Sequence, residues 1–373
     1  MWGSMRYLAT AVPGFGPLLA ERFAALPRGS DVAMIGNDGR NDIVAVTIRG
    51  DPVIADIRIA EDVFVEVAEV RRPRGLHSLI ESLTRLEGME RALSVYANLV
   101  KPLHPAMGYR VIGRILSERD FLRTTLRDAL SAHIGRQRPR WVAADPGQLE
   151  FWVLEVRTSH FVLCLRLTGG AFRQRGGRRE ERPGALRPSV AAAMVLLAGT
   201  ADEAATFLDP CCGSGTILAE GLAAGWRDVR GCDIDPQAVR IARRNVPSAN
   251  VTRGDARRIP LPAGGVGALV ANLPFGVRYD IPGDAREWLR SLLAETTRVV
   301  RPGGAVVLLT AAGGAARVVI ERCAALAVDR RVPVQLLGVD AVLWAARVDA
   351  SAAAVAQQPV PEDGQSAAAE VGV

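Results

Sequence analysis

The chain of 373 residues has almost no lysine: Lys101 is the single one among 46 basic residues. An arginine total of that kind follows codon usage as readily as function, so where the charge lies is a better guide than how much there is. Cysteine is also scarce. The five thiols (Cys164, Cys211, Cys212, Cys232 and Cys323) are odd in number and include no CxxC pair. This excludes a disulfide framework and predicts free thiols in a reducing compartment. The four histidines, His77, His104, His133 and His160, lack metal-ligand spacing, so no metal site is expected. No apolar run is long enough to span a bilayer. The N-terminus, MWGSMRYLATAVPG, shows no charged region followed by a long apolar segment, so no signal peptide is expected and the expected location is cytoplasmic.

What the sequence does contain is apolar residues, 49% of the chain, with a mean hydropathy of +0.14. At this length that supports real cores and more than one domain. The net charge is +6 and the pI about 9.5. Residues 1–188 carry a net +7 and residues 189–373 a net −1, so the positive excess belongs to the first half. An anionic partner for that half is the natural reading.

From residue 201 to 348 strand and helix patterns alternate. TFLDP, VRGCDID, NVTRGDARRI, GALVAN and AVVLLT read as strands separated by helices, and VPVQLLGV with AVLWAARV as a closing hairpin. The expected fold class is α/β, a Rossmann-like, doubly wound and mostly parallel sheet with an antiparallel closing strand over residues 189–350. Ligands of such sheets sit at the carboxyl ends of the strands. Residues 1–70 read as an α+β ferredoxin-like segment and residues 71–170 as a second α+β module. Residues 171–188 read as an Arg/Gly-rich linker, and residues 351–373 as a disordered tail of Ala, Gln, Pro and Glu.

Three features line up along one edge of the predicted parallel sheet. Asp209-Pro210-Cys211-Cys212-Gly213-Ser214-Gly215-Thr216 follows a strand and opens a helix, where glycines let a ligand approach unpaired backbone N–H groups. Asp233 ends the second strand, placed to grip ribose hydroxyls. Asp255, with Ala256 beside it, follows the third strand, where its carboxylate can accept from an adenine amino group. The turn is not GxGxxG, and an aspartate opens it. That suits a cationic ligand such as a sulfonium amino acid better than a pyrophosphate. Asp235 reads as a helix N-cap, and Cys211 and Cys212 as small loop fillers.

The fourth strand ends in Asn272-Leu273-Pro274-Phe275-Gly276. An amide acceptor, an acceptor-only proline turn and an aromatic face fit the clamping of a planar amine, whose lone pair must face a methyl donor. The Asn272 oxygen would take one N–H, the carbonyl of Leu273 or Pro274 the other, and Phe275 would stack on the ring. Positioning, rather than a strong base, would carry the chemistry. A base inside a duplex cannot reach such a pocket, so the target must be flipped out or unpaired. Asn, Pro and Gly are also ordinary turn residues, and the segment alone is equally a β-turn.

DPCCGSGTILAEG, GCDID, GDA and NLPFG, in this order, resemble the class I methyltransferases that use S-adenosylmethionine. NLPFG is similar to the (N/D)PP(Y/F) signature of amino-methylating enzymes. RPGALRPSVAAAMVLLAG, residues 182–199, and the strand–helix–strand pattern of residues 108–170 resemble THUMP-domain RNA guanine-N2 methyltransferases, as does YLATAVPGFGPLLAERF near the start. The resemblance implies a THUMP-like RNA-binding module over residues 71–170 and methylation of guanine N2 in structured RNA, most often the tRNA acceptor stem at position 6. It implies that Asp209, Gly213 and Gly215 hold the methionine part of the cofactor, Asp233 the ribose, and Asp255 with Ala256 the adenine. Asn272, Pro274 and Phe275 would hold the guanine. Leu273 stands where the signature has its first proline, Phe275 where tyrosine is commoner, and Arg182-Pro183-Gly184 where the family has His-Pro-Ala. An rRNA guanine or a DNA amine would need the same chemistry, and a silent RNA-binding protein would keep the fold alone.

Candidate RNA contacts are Arg119, Arg123 and Arg127, spaced by four along one helix, Arg173 and Arg175 in the linker, and Arg278 just past NLPFG. The helical stripe reads equally as a solvated face, with Leu122, Leu126 and Leu130 turned to the core.

Overall fold

Two sheets account for all the strands among the described residues. The computed structural model describes residues 3–50, 52, 54–116, 123–175, 180, 182, 184–274, 284–313, 315–336 and 338–349. The expected disordered tail lies outside them. The first half runs β1 (Ser4–Ala11), α1 (Gly16–Ala24), β2 (Gly29–Asn37), β3 (Asp42–Arg49), β4 (Asp62–Arg71), α2 (Leu76–Leu83), α3 (Leu86–Leu99), β5 (Gly108–Arg114), α4 (Arg123–Gln137), β6 (Val142–Ala143), β7 (Leu149–Arg157) and β8 (His160–Arg166). These strands make one eight-stranded sheet in the order β2-β3-β1-β4-β8-β7-β5-β6.

The expected division at residue 70 therefore crosses a continuous sheet. β4 pairs antiparallel with β1 on one side and with β8 on the other, Val65 opposite both Tyr7 and Leu165. Its run Val63, Phe64 and Val65 is fully buried, as a strand needs to be when both its edges and both its faces are covered. The sheet also curls. Arg157 Nη2 donates to the Met34 carbonyl at 3.2 Å, joining β2 to β7 across several intervening strands. A Cβ at Gly36 would lie 1.7 Å from the Val156 carbonyl oxygen, so only glycine permits that approach. Leu8, Ile35, Ile43, Phe64, Trp152 and Val162 fill the concave side, while α1 to α4 cover the other face.

The second half runs α5 (Gly170–Gln174), α6 (Pro188–Leu197), β9 (Thr206–Asp209), α7 (Thr216–Ala223), β10 (Asp228–Asp233), α8 (Pro236–Asn245), β11 (Asn250–Arg253), β12 (Val266–Asn272), α9 (Ala285–Val299), β13 (Val300–Ala311), α10 (Ala315–Glu321), β14 (Leu326–Leu336) and β15 (Val339–Val348). Its seven-stranded sheet has the order β11-β10-β9-β12-β13-β15-β14. The first five strands are parallel, and β15 enters antiparallel to both β13 and β14. This is the expected Rossmann-like fold with its antiparallel closing strand. β12 is central, and Val266 to Ala271 are buried without alternation. Asp235 caps α8 by accepting from the Gln237 N–H at 2.8 Å, with Pro236 in the first turn.

The two halves are joined tightly. Arg58 donates through Nε and Nη2 to Glu220 on α7, at 2.7 and 2.9 Å, and Glu220 is 2% exposed. On another side Arg330 of β14 pairs with Glu21 of α1, and the Gln335 N–H donates to the Pro13 carbonyl. A single apolar cluster includes Phe15 and Leu19 from one half and Val332 and Leu343 from the other.

Candidate active site

Four polar residues mark the carboxyl ends of adjacent parallel strands. Register fixes the row: Gly231 pairs with Asp209, Asp233 with Arg253, and Leu269 with Leu208. Asp255 after β11, Asp233 on β10, Asp209 on β9 and Asn272 on β12 therefore follow one another along the sheet edge. The strand order reverses between β9 and β12, which is where open α/β sheets leave their crevice.

Asp209 is 1% exposed. Its Oδ1 accepts the Cys211 N–H at 3.0 Å. Burial pushes its pKa up to about 8 against that hydrogen bond, and the nearby Asp233 charge adds to the rise. A buried carboxyl held near neutrality calls for a cation. The turn that follows is shaped by two glycines with left-handed backbones. A Cβ at Gly213 (φ +51°) would meet nothing within 4 Å, so open space lies against the backbone there. One at Gly215 (φ +86°) would come within 3.0 Å of Val246 and 3.4 Å of Ala242, so the turn that opens α7 sits tightly against the end of α8.

Asp233 is fixed by two backbone donors, the Gly213 N–H on Oδ2 at 2.9 Å and the Asp235 N–H on Oδ1 at 3.0 Å. Each oxygen retains lone-pair capacity for a hydroxyl. Asp255 sits at the expected place, but Arg257 clamps it with Nη2 at 2.7 Å and Nε at 3.0 Å. The Arg257 hydrogen bond holds its carboxyl below the usual range. Ala256 is buried. Ile234, not singled out from the sequence, is 65% exposed between Asp233 and Asp235. Its signal was readable: an isoleucine between two acids at a strand end has no core to join.

The Asn272 Oδ1 is buried and accepts no hydrogen bond among the described residues. A buried acceptor left open costs roughly 1–3 kcal/mol, so its persistence points to a missing donor. Leu273 explains the departure from the expected signature. Its N–H donates to the Leu309 carbonyl at 3.1 Å and its side chain is 4% exposed among the cluster around Leu269, Ala256 and Leu289. Proline would forfeit that hydrogen bond. Pro274 follows, half-buried; Phe275 and Arg278 lie outside the described residues.

The thiols beside this row are shifted toward the protonated form. Burial drives the Cys211 and Cys212 pKa values far up and that of Cys232 to about 12. Among the described residues no group of three or more His, Cys, Asp or Glu could hold a metal ion. None of the helices described is long and apolar enough to cross a membrane. Two cavities of about 450 and 410 Å³ lie elsewhere, neither lined by Asp209 or Asn272.

Residues 175–340 match the family described as UPF0020, RMKL-like, methyltransferase domain. The mouse U6 snRNA (guanine-N(2))-methyltransferase THUMPD2 is 35% identical over 132 residues, 33% of this chain and 24% of the relative. The ribosomal RNA large subunit methyltransferase K/L of Vibrio campbellii is 29% identical over 167 residues, 31% of this chain and 24% of the relative. The chain thus spans about a quarter of the length of these curated relatives. The crystal structure of TrmN from Thermus thermophilus shares the fold across both halves, with a TM-score of 0.72 at 23% identity, covering 92% of this chain and 99% of that one. The strand-end residues fit the expected cofactor, S-adenosylmethionine. A buried carboxyl awaits a cation, the Gly213 backbone faces open space, and Asp233 is fixed with acceptor capacity to spare.

The expected RNA-contact arginines divide. Arg123 and Arg127 are exposed on α4, over the buried Leu126 and Leu130, and Arg127 pairs with Asp128 at 2.8 Å. Arg119 lies outside the described residues. Arg173 is partly exposed and reaches Asp62 at 3.2 Å. Arg175 is a correction. Its side chain is only 11% exposed; it lies on the Phe172 ring, donates to the Arg58 carbonyl and faces Glu220. It is a strut of the joint, not a surface contact. The expected linker is correspondingly structured at α5.

Proposed function

We propose that the protein methylates the exocyclic N2 of a guanine in structured RNA, taking the methyl group from S-adenosylmethionine. The single observation that carries this reading is the buried Oδ1 of Asn272, unpartnered among the described residues, at the strand end next to Asp209. When bound, S-adenosylmethionine supplies an electrophilic methyl on a sulfonium. Asp209 and the open backbone at Gly213 would hold its cationic amino-acid end, and Asp233 its ribose. Ile234 would cover the adenine, with Asp255 accepting from the amino group beside Arg257. Asn272 would accept one N2–H and the Leu273 or Pro274 carbonyl the other, turning the amine lone pair toward the methyl. The amine nitrogen would take the methyl group as the thioether leaves, and it would then give its proton to solvent. No strong base is needed, and positioning supplies the rate.

We assign residues 1–170 to RNA binding, together with the basic segment 171–188 that completes the positive first half, and residues 189–350 to catalysis. The finer reading is tRNA, at guanine 6 of the acceptor stem; the relatives named for U6 snRNA and ribosomal RNA make those the competing substrates. Incubation with radiolabelled S-adenosylmethionine and separate pools of tRNA, rRNA, U6 snRNA and DNA, followed by nucleoside analysis, tests this. N2-methylguanosine from tRNA supports the reading. Label in another RNA pool replaces the substrate, and label only in DNA, or in none, removes the proposal.

A further inference from the structure

The concave side of the N-terminal sheet opens into a cavity of about 410 Å³, where the sheet meets the start of α6. Phe64 and Trp152, edge to face at 5.4 Å, form its apolar lining. Its polar rim comes from four separate segments: Arg40 in the β2–β3 turn, Arg114 at the end of β5, Arg173 on α5 and Arg187 capping α6.

The carboxylates at this cavity are already engaged. Asp38 holds its own hairpin, Oδ1 accepting the Arg40 and Asn41 N–H groups at 3.0 and 2.7 Å. Asp62 accepts from the buried Arg166 at 2.8 Å and from Thr168 at 2.9 Å. Glu61 accepts from Ser189 and lies 3.6 Å from Arg187.

Arg40 and Arg114 are left over: neither has a carboxylate within 4.0 Å among the described residues. The Arg114 guanidinium lies over the Trp152 ring at 5.6 Å, and its Nε is buried without a hydrogen-bond partner among those residues. Arg123 crosses the same strand, its Cγ 3.1 Å from where a Gly113 Cβ would stand. Burial first, and then Arg40 and Arg123, hold the Arg114 pKa down, against the pull of Asp38. Converging guanidinium groups with unused donors over an aromatic floor match a phosphate, which offers several acceptors and accepts paired N–H bonds.

We propose that this cavity is a phosphate-binding subsite that holds a phosphodiester of the substrate RNA, with Arg40 and Arg114 as its principal donors. The identity of the strand as RNA rests on the function proposed above; the anion site rests on the cavity itself. The site lies between the N-terminal sheet and the catalytic domain, so a strand anchored here is presented to the joint rather than to the outer helices.

The test uses the full chain and a fluorescein-labelled single-stranded RNA hexamer, with anisotropy measured at 50 and 200 mM salt. Arg40→Gln and Arg114→Gln should each weaken binding by about five- to tenfold and lower the salt slope by about 0.7 for each phosphate no longer neutralised. S-adenosylmethionine affinity should stay unchanged, and RNA methylation should show a raised KM with kcat unchanged. Arg114→Lys should recover part of the affinity, since it restores charge without the fork. Arg40 is exposed in a turn, so Arg40→Gln remains informative if Arg114→Gln fails to fold. Unaltered affinity and slope in Arg40→Gln overturn the proposal. Inorganic pyrophosphate is the second probe, read by thermal shift. Stabilisation of the wild type but not of Arg40→Gln, without hexamer binding, means a free-phosphate site and overturns the assignment to RNA. Should the wild type methylate no RNA, the proposed function fails, while anisotropy and thermal shift still decide the subsite.

Discussion

The two sheets leave opposite hydrogen-bonding capacity unmet at their open ends. The parallel sheet presents acceptors: the buried Asp209 carboxyl and the open Asn272 Oδ1. The curled sheet presents donors: the Arg114 Nε and a rim of guanidinium groups. Both sites tolerate a cost that a purely structural protein would remove by substitution. The difference in sign matches what each is proposed to hold, an amine and a sulfonium in one case and a phosphate in the other. The proposed function, a cationic cofactor and a polyanionic substrate, would need both polarities, kept apart.

The sharpest way to break this contrast is at Asn272. Asn272→Ala should lower kcat by about 10²- to 10³-fold, the scale of removing one aligned hydrogen bond to the transition state. Its S-adenosylmethionine affinity, by calorimetry, should stay within about twofold; equal loss of both would move Asn272 into cofactor binding.

Asp209→Asn should reduce cofactor affinity by about tenfold or more while stabilising the ligand-free protein. The folded state keeps the Asp209 proton up to about pH 8, whereas the unfolded chain releases it near the ordinary aspartate value of 3.8. Stability from this group is therefore full below about pH 4 and declines as pH rises toward 8. The variant should lose that decline, seen as a higher Tm above neutrality. In the wild type, binding a cation should expel the proton, so cofactor affinity should rise with pH up to about 8. A pH-independent affinity would mean that the carboxyl does not meet the charge.

Between the sheets, Glu220→Ala should cost about 3 kcal/mol, because it strands the largely buried Arg175 and the half-buried Arg58. RNA turnover should fall more than cofactor affinity does. A uniform loss of both would make the joint merely structural. The smallest effect belongs to Arg127→Gln. Arg127 is exposed and paired with its neighbour Asp128, so RNA affinity should change by less than about twofold.

How much of this could be read beforehand depended on distance along the chain. The glycine turn, Asp233, the Asp235 cap and the all-apolar β12 are local patterns, and the structure brings them to one edge. The Arg257 clamp on Asp255 was also local, two residues away, and shows that an acid at the right strand end need not be free. The unpredicted features depend on partners far away in the chain. β2 has one buried residue, Ile35, and no alternation to announce it. β4 joins β8 across about a hundred residues, so the sequence patterns on either side suggested two modules. Arg175 looked like a linker cation because Glu220, which draws it inward, lies 45 positions later.

Glu220 lies on α7, the same eight-residue helix whose first turn follows Gly215. That rod is roughly 12 Å long, too short to flex along its length. Tilting it at the Arg58 clasp must tilt the floor on which the methionine end would rest. On the proposed function, a docked strand that moved the clasp would be felt by the cofactor, and by reciprocity a bound cofactor would change the affinity for that strand by the same factor.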